Sequence, residues 1–121
     1  MPGKPLAREA FESYLERHAA CDLEGVVSLF AADAVLEDPV GSPTHVGGAA
    51  IRDFFRAAHE RNGTLRVERV GPVLVCGDEG AAHIRAAARS TDFDLKLDVL
   101  YTFALDSAGA ISSLRAFFEF D

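Results

Sequence analysis

At 121 residues the chain is long enough to close one hydrophobic core and too short for two. An apolar share of 49%, with nine Phe and no Trp, supplies that core and the lining of a cavity besides. The formal net charge of −7, with Lys and Arg scattered, excludes the basic patch that nucleic acid or an anionic membrane would require of a partner.

The opening MPGKPLAREAF lacks an apolar signal region, and no run approaches the roughly 18 apolar residues of a membrane span. Cys21 and Cys76 lie far apart and read as reduced thiols, so the expected location is cytoplasmic. From Pro5 to His18 the residues Leu6, Ala10, Phe11, Tyr14 and Leu15 recur at helical spacing. Asp22 reads as the N-cap of a second helix with a stripe of Leu23, Val26, Val27 and Phe30. A short strand, Ala34 to Asp38, ends at Pro39, and Gly41 to Gly48 reads as loop. A third helix carries Ile51, Phe54, Phe55 and Ala58 on one face and stops near Asn62-Gly63.

Beyond Gly63 four strands are predicted, Leu65–Leu74, Gly80–Ser90, Phe93–Leu105 and Ala110–Phe120. Turn signals at Gly77-Asp78, Ser90-Thr91-Asp92 and Asp106 to Gly109 separate them. Three helices followed by antiparallel strands define an α+β class, one domain over residues 1–121. A sheet of such long strands must curl, and helices on its concave face leave a pocket in the cone between them.

Period two places Ala34, Leu36 and Asp38 on one strand face and Val35 and Glu37 on the other. With Ala34 and Leu36 inward, Asp38 enters apolar surroundings, and no nearby cation is expected beside it. The competing reading of Asp38 is a surface turn before proline. Tyr14 shares the stripe of Phe11 and Leu15, so its hydroxyl meets either a core carbonyl or a cavity. Tyr101 shares an apolar strand face with Leu97, Val99, Phe103 and Leu105, whereas Asp98 falls on the polar face. His18, His45, His59 and His83 lack ligand spacing, and His18 is read as closing the first helix. No metal-binding motif or phosphate loop is present, so neither metal nor cofactor is expected.

The stretch Tyr14 to Gly41, with Asp22-Leu23-Glu24-Gly25, Leu29 to Ala34 and Glu37-Asp38-Pro39-Val40-Gly41, resembles bacterial Δ5-3-ketosteroid isomerases. The resemblance returns at Leu97-Asp98-Val99, Gly109-Ala110-Ile111 and Leu114 through Phe118, and covers about half of the chain. It implies the cone-shaped fold of the NTF2-like, SnoaL-like superfamily, a steroid-like apolar substrate, and a homodimer formed through the outer sheet face. It also implies Asp38 as the general base and acid of an isomerase that moves a β,γ double bond into conjugation. Tyr14 matches the oxyanion tyrosine, and the family's second donor, an aspartic acid, is replaced by Tyr101 here, or by Val99 on the alternative count. Phe54, Phe55, Ile84, Val99, Phe103, Ala116 and Phe118 are the expected apolar wall. The tyrosines that support the oxyanion tyrosine in that family match Phe30 and Phe55. A cyclase or other lyase on the same scaffold, and a non-catalytic binder of hydrophobic molecules, are the alternatives.

Overall fold

The structure, a computed structural model, describes residues 3–91 and 93–119. Helix α1 (Lys4–Ala19) turns Ala7, Phe11, Tyr14, Leu15 and His18 inward along one face, with Pro5 in its first turn. Asp22 caps α2 (Leu23–Val27), its Oδ1 accepting from the Gly25 N–H at 3.0 Å. Helix α3 (Gly48–Asn62) buries Ile51, Phe55 and Ala58. It ends at Gly63, where φ is +64° and a Cβ would lie 2.5 Å from the Arg89 carbonyl oxygen.

Six strands form one mixed sheet: β1 (Phe30–Glu37), β2 (His45–Val46), β3 (Thr64–Cys76), β4 (Glu79–Ser90), β5 (Phe93–Leu105) and β6 (Ile111–Phe117). Their order is β2-β1-β6-β5-β4-β3, antiparallel throughout except for the parallel β1–β6 pair. Register shifts between Val70 and Leu74 on β3, where Gly71 has φ +83°, and between Ala104 and Leu105 on β5 help the sheet curve. The helices pack on its concave face. There Phe11 stacks on Phe103 at 4.9 Å between ring centres and meets Tyr101 edge-on at 5.6 Å. Along β5, Val99, Tyr101, Phe103 and Leu105 are buried, while Lys96, Asp98 and Leu100 on the opposite face are exposed.

The α+β layout is therefore as expected, with local corrections. Phe30 does not continue the α2 stripe; it opens β1, in parallel register with Ile111. The expected loop 41–48 holds β2, paired with β1. Strand β6 ends at Phe117, so Phe118 and Glu119 lie past it and the expected extension is shorter; Phe120 lies outside the described residues, as does Asp92 of the β4–β5 turn.

Candidate active site

Between α1, α3 and the sheet lies a cavity of about 310 Å³, at the small end of ligand pockets. Asp38 lines it at the mouth of β1. Alternation sets its direction: Leu36 is fully buried, and Glu37 turns outward to accept from Arg115 Nε at 2.9 Å. After Asp38 the chain is pinned to β6 by the Val40 N–H donating to the Ala116 carbonyl at 2.8 Å.

Burial raises the Asp38 pKa to about 6, against a smaller lowering by Arg61. The expectation of no cation near Asp38 is thus corrected. Arg61 stands on α3, seven residues beyond Phe54, and lines the same cavity. Near pH 7 Asp38 is a carboxylate that accepts a proton readily, the property a general base requires.

Tyr101 also lines the cavity, whereas Tyr14 is fully buried and does not. The rings meet edge-on with centres 5.7 Å apart. Burial foremost, then Tyr101 and Asp38, holds the Tyr14 pKa well above the ordinary phenol value. Burial foremost, then Asp38, raises that of Tyr101, and contact with Tyr14 eases it back. The Tyr14 hydroxyl is buried without a bonded partner, so the two phenols are neighbours and not a hydrogen-bonded pair. Phe30 and Phe55 stand edge-on to Tyr14 and give it no polar support. Tyr101 is therefore a neutral phenol facing the cavity, with Tyr14 behind it.

Of the expected wall, Phe54 and Phe118 line the cavity. Phe55, Ile84, Val99, Phe103 and Ala116 belong to the packed core and do not line it. The remaining apolar lining comes from Pro39, from Ala58 on α3, and from Leu65, Ala86, Ala88, Leu95 and Leu97 on the inner faces of β3, β4 and β5. Sequence reading also missed three polar lining residues, His18, Arg61 and Asn62. A signal existed for two of them, because His18 follows Tyr14 by four residues and Asn62 follows Ala58 by four. Asp98 is exposed as expected, 2.8 Å from His83 Nε2. Among the described residues no three His, Cys, Asp or Glu side chains are grouped to hold a metal. Among them, too, no helix is long and apolar enough to cross a membrane.

With α-helices on a curved open sheet and a carboxylate inside the cone, the architecture is NTF2-like. Residues 11–114 match the SnoaL-like domain, and the chain belongs to that family. The steroid Delta-isomerase of Nocardioides simplex is 31% identical over 114 residues, covering 91% of this chain and 87% of that protein. Epoxide hydrolase LasB of Streptomyces lasalocidi is 45% identical over 51 residues, 42% of this chain and only 18% of its own length. Among solved structures, the epoxide hydrolase/cyclase-like enzyme SalBIII, studied for pyran ring formation in polyether salinomycin, superposes with a TM-score of 0.88. It is 24% identical and covers 98% of this chain and 95% of its own, a likeness of fold.

Proposed function

We propose that the protein is a cofactor-independent isomerase that moves a β,γ double bond into conjugation with a ketone in a steroid-like substrate. The observation that carries this reading is Asp38, a carboxylate with a pKa of about 6 in a largely apolar cavity that the Tyr101 phenol also lines. Asp38 takes the proton from the carbon between ketone and alkene, and the electron pair delocalises onto the ketone oxygen as a dienolate. Tyr101 donates to that oxygen. Asp38 then returns the same proton two carbons along, the alkene becomes conjugated, and no outside reactant is consumed. The 31% identity to a steroid Delta-isomerase supports the substrate class.

A second reading has its own support. Arg61, His18 and Asn62 make part of the cavity wall polar, and the similarity to an epoxide hydrolase fits such a wall. In that reading Asp38 takes the proton from a hydroxyl or water as its oxygen bonds to an epoxide carbon; the ring C–O bond breaks, the departing alkoxide takes up a proton from solvent, and Asp38 returns its proton to solvent. An assay with a Δ5-3-ketosteroid, following absorbance of the conjugated product, separates the two. Turnover should fall by at least ~10²-fold in Asp38→Asn, which keeps the shape and removes the base. The wild-type kcat/KM should fall on the acid side of about pH 6, as Asp38 takes up a proton. No turnover by the wild type, or near-normal turnover by Asp38→Asn, counts against the isomerase.

A further inference from the structure

His18 is a polar residue on an otherwise apolar helix face, 8% exposed, and it lines the cavity. Its ring is held on three sides. Tyr14 stacks on it at 5.5 Å with 15° between the planes, and Phe55 meets it edge-on at 5.4 Å. Its Nδ1 lies 3.0 Å from His59 Nε2, one hydrogen bond joining α1 to α3. A ring fixed so firmly points its remaining nitrogen, Nε2, in one direction. Among the described residues no protein hydrogen bond is made to that nitrogen. Nor is it one of the sealed polar atoms without partners, which among the described residues are Tyr14 Oη and His59 Nδ1. It therefore keeps some exposure, on a side chain that lines the cavity.

The orphaned Nδ1 of His59 decides which proton His18 shows to that cavity. A neutral imidazole carries one N–H and one lone pair. If His18 donated to His59 Nε2, the His59 proton would sit on Nδ1, a buried N–H with no acceptor. If His59 donates instead, its Nδ1 is a bare lone pair, the less costly kind of orphan, because buried unpaired N–H groups are the rarer defect. A protonated His59 also donates from Nε2 and gives the same result. In both cases His18 accepts at Nδ1 and must carry its own proton on Nε2. Burial, with His59 nearby, lowers the His18 pKa to about 3, so the ring remains neutral.

We propose that His18, oriented by His59, is a ligand-binding residue whose Nε2–H donates a hydrogen bond to an oxygen of the molecule held in the cavity. His59 is the positioning residue. The ligand this pair selects carries a carbonyl, ether or hydroxyl oxygen on an apolar ring skeleton. His18 and Tyr101 both line this cavity, and their rings flank Tyr14. The proposal shares with the isomerase reading only the cavity as ligand site, and holds equally for a hydrolase or a binder.

Imidazole ¹⁵N spectra of the whole protein test it, with His18 assigned by its loss in His18→Gln. The His18 signals should show one neutral tautomer, protonated at Nε2, between about pH 5 and 8. Cyclohex-2-enone, small enough to enter the cavity whatever the natural ligand, should shift the Nε2–H signal, and cyclohexene, the same ring without oxygen, should not. Enone affinity should fall roughly three- to tenfold in His18→Leu, the worth of one neutral hydrogen bond, and recover in His18→Gln, which still donates. His59→Leu should let both His18 tautomers appear, and His59→Gln, whose amide can donate, should restore one. A His18 proton on Nδ1, or a signal unmoved by the enone, overturns the assignment on the wild type alone. An enone response without ketosteroid turnover would instead reject the isomerase and leave His18 as the ligand donor.

Discussion

Tyr14 and Tyr101 stand at different depths from the cavity. The resemblance implies a ligand contact for Tyr14, and for Tyr101 in place of the family's aspartic acid; the folded chain puts Tyr101 at the cavity wall and Tyr14 behind it. If Tyr101 is the donor that touches the oxyanion, Tyr101→Phe should reduce kcat by about 10²–10³-fold. Tyr14→Phe removes an unpartnered hydroxyl that stands behind Tyr101, and should reduce kcat by roughly tenfold or less. Both variants keep the rings and hence the packing of Phe11 and Phe55 around them. Steady-state kinetics decides: the reverse order of losses would give the ligand contact to Tyr14. At the same scale, Asp38 was legible from alternation and from its motif, because both act over neighbouring residues. Arg61 was not, since its effect on Asp38 is exerted across the cavity from another element.

Elements follow the same division between local and distant causes. The three helices and the four long strands are legible because each carries its own period and its own stop signals. The start of β1 was misread because Leu23, Val26, Val27 and Phe30 keep helical spacing. Pairing with a partner far along the chain overrides that spacing. The Ile111 N–H donates to the Leu29 carbonyl at 2.8 Å, and Phe30 then enters the sheet. Inner strand residues could be recognised, but not which of them face a void. Phe103 is covered by Phe11, whereas Leu95 and Leu97 on the same strand are left to line the cavity. The α3–β3 junction gives this scale its test. Gly63 combines φ +64° with a backbone overlap that cannot yield, so Gly63→Ala should destabilise by at least about 2 kcal/mol in urea unfolding. Gly71→Ala, where φ is +83° but no atom lies within 4 Å of the added Cβ, should cost less. Equal losses would show that backbone strain alone acts at Gly63.

The whole molecule carries two titrating groups in the cavity wall whose demands on pH are opposite. Asp38 titrates near 6 when folded and near 3.8 in the reference state, so the folded form holds a proton that the unfolded form has released. Its contribution is complete below about pH 4 and is lost as pH rises through 6, a deficit of up to ~3 kcal/mol at neutrality, and less because Asp38 keeps some surface contact. His18 titrates near 3 when folded and near 6.5 in the reference state, so here it is the unfolded form that gains the proton first. Its contribution is present above 6.5 and is lost as pH falls toward 3, on the order of 5 kcal/mol in total. Between about pH 4 and 6 the two one-proton slopes have opposite signs and cancel. Urea midpoints across that window should separate them. Relative to wild type, the stability of Asp38→Asn should climb with pH, by up to ~3 kcal/mol at pH 7. Relative to wild type, His18→Leu should decline over the same window, because only the Asp38 slope remains. Other carboxylates titrate in all three proteins and drop out of the differences. Three parallel curves would show that neither side chain feels the burial described for it. Opposite slopes would tie the proposed base and the proposed ligand donor to one desolvated wall, whose burial of ionisable groups is a cost in stability that ligand chemistry would explain.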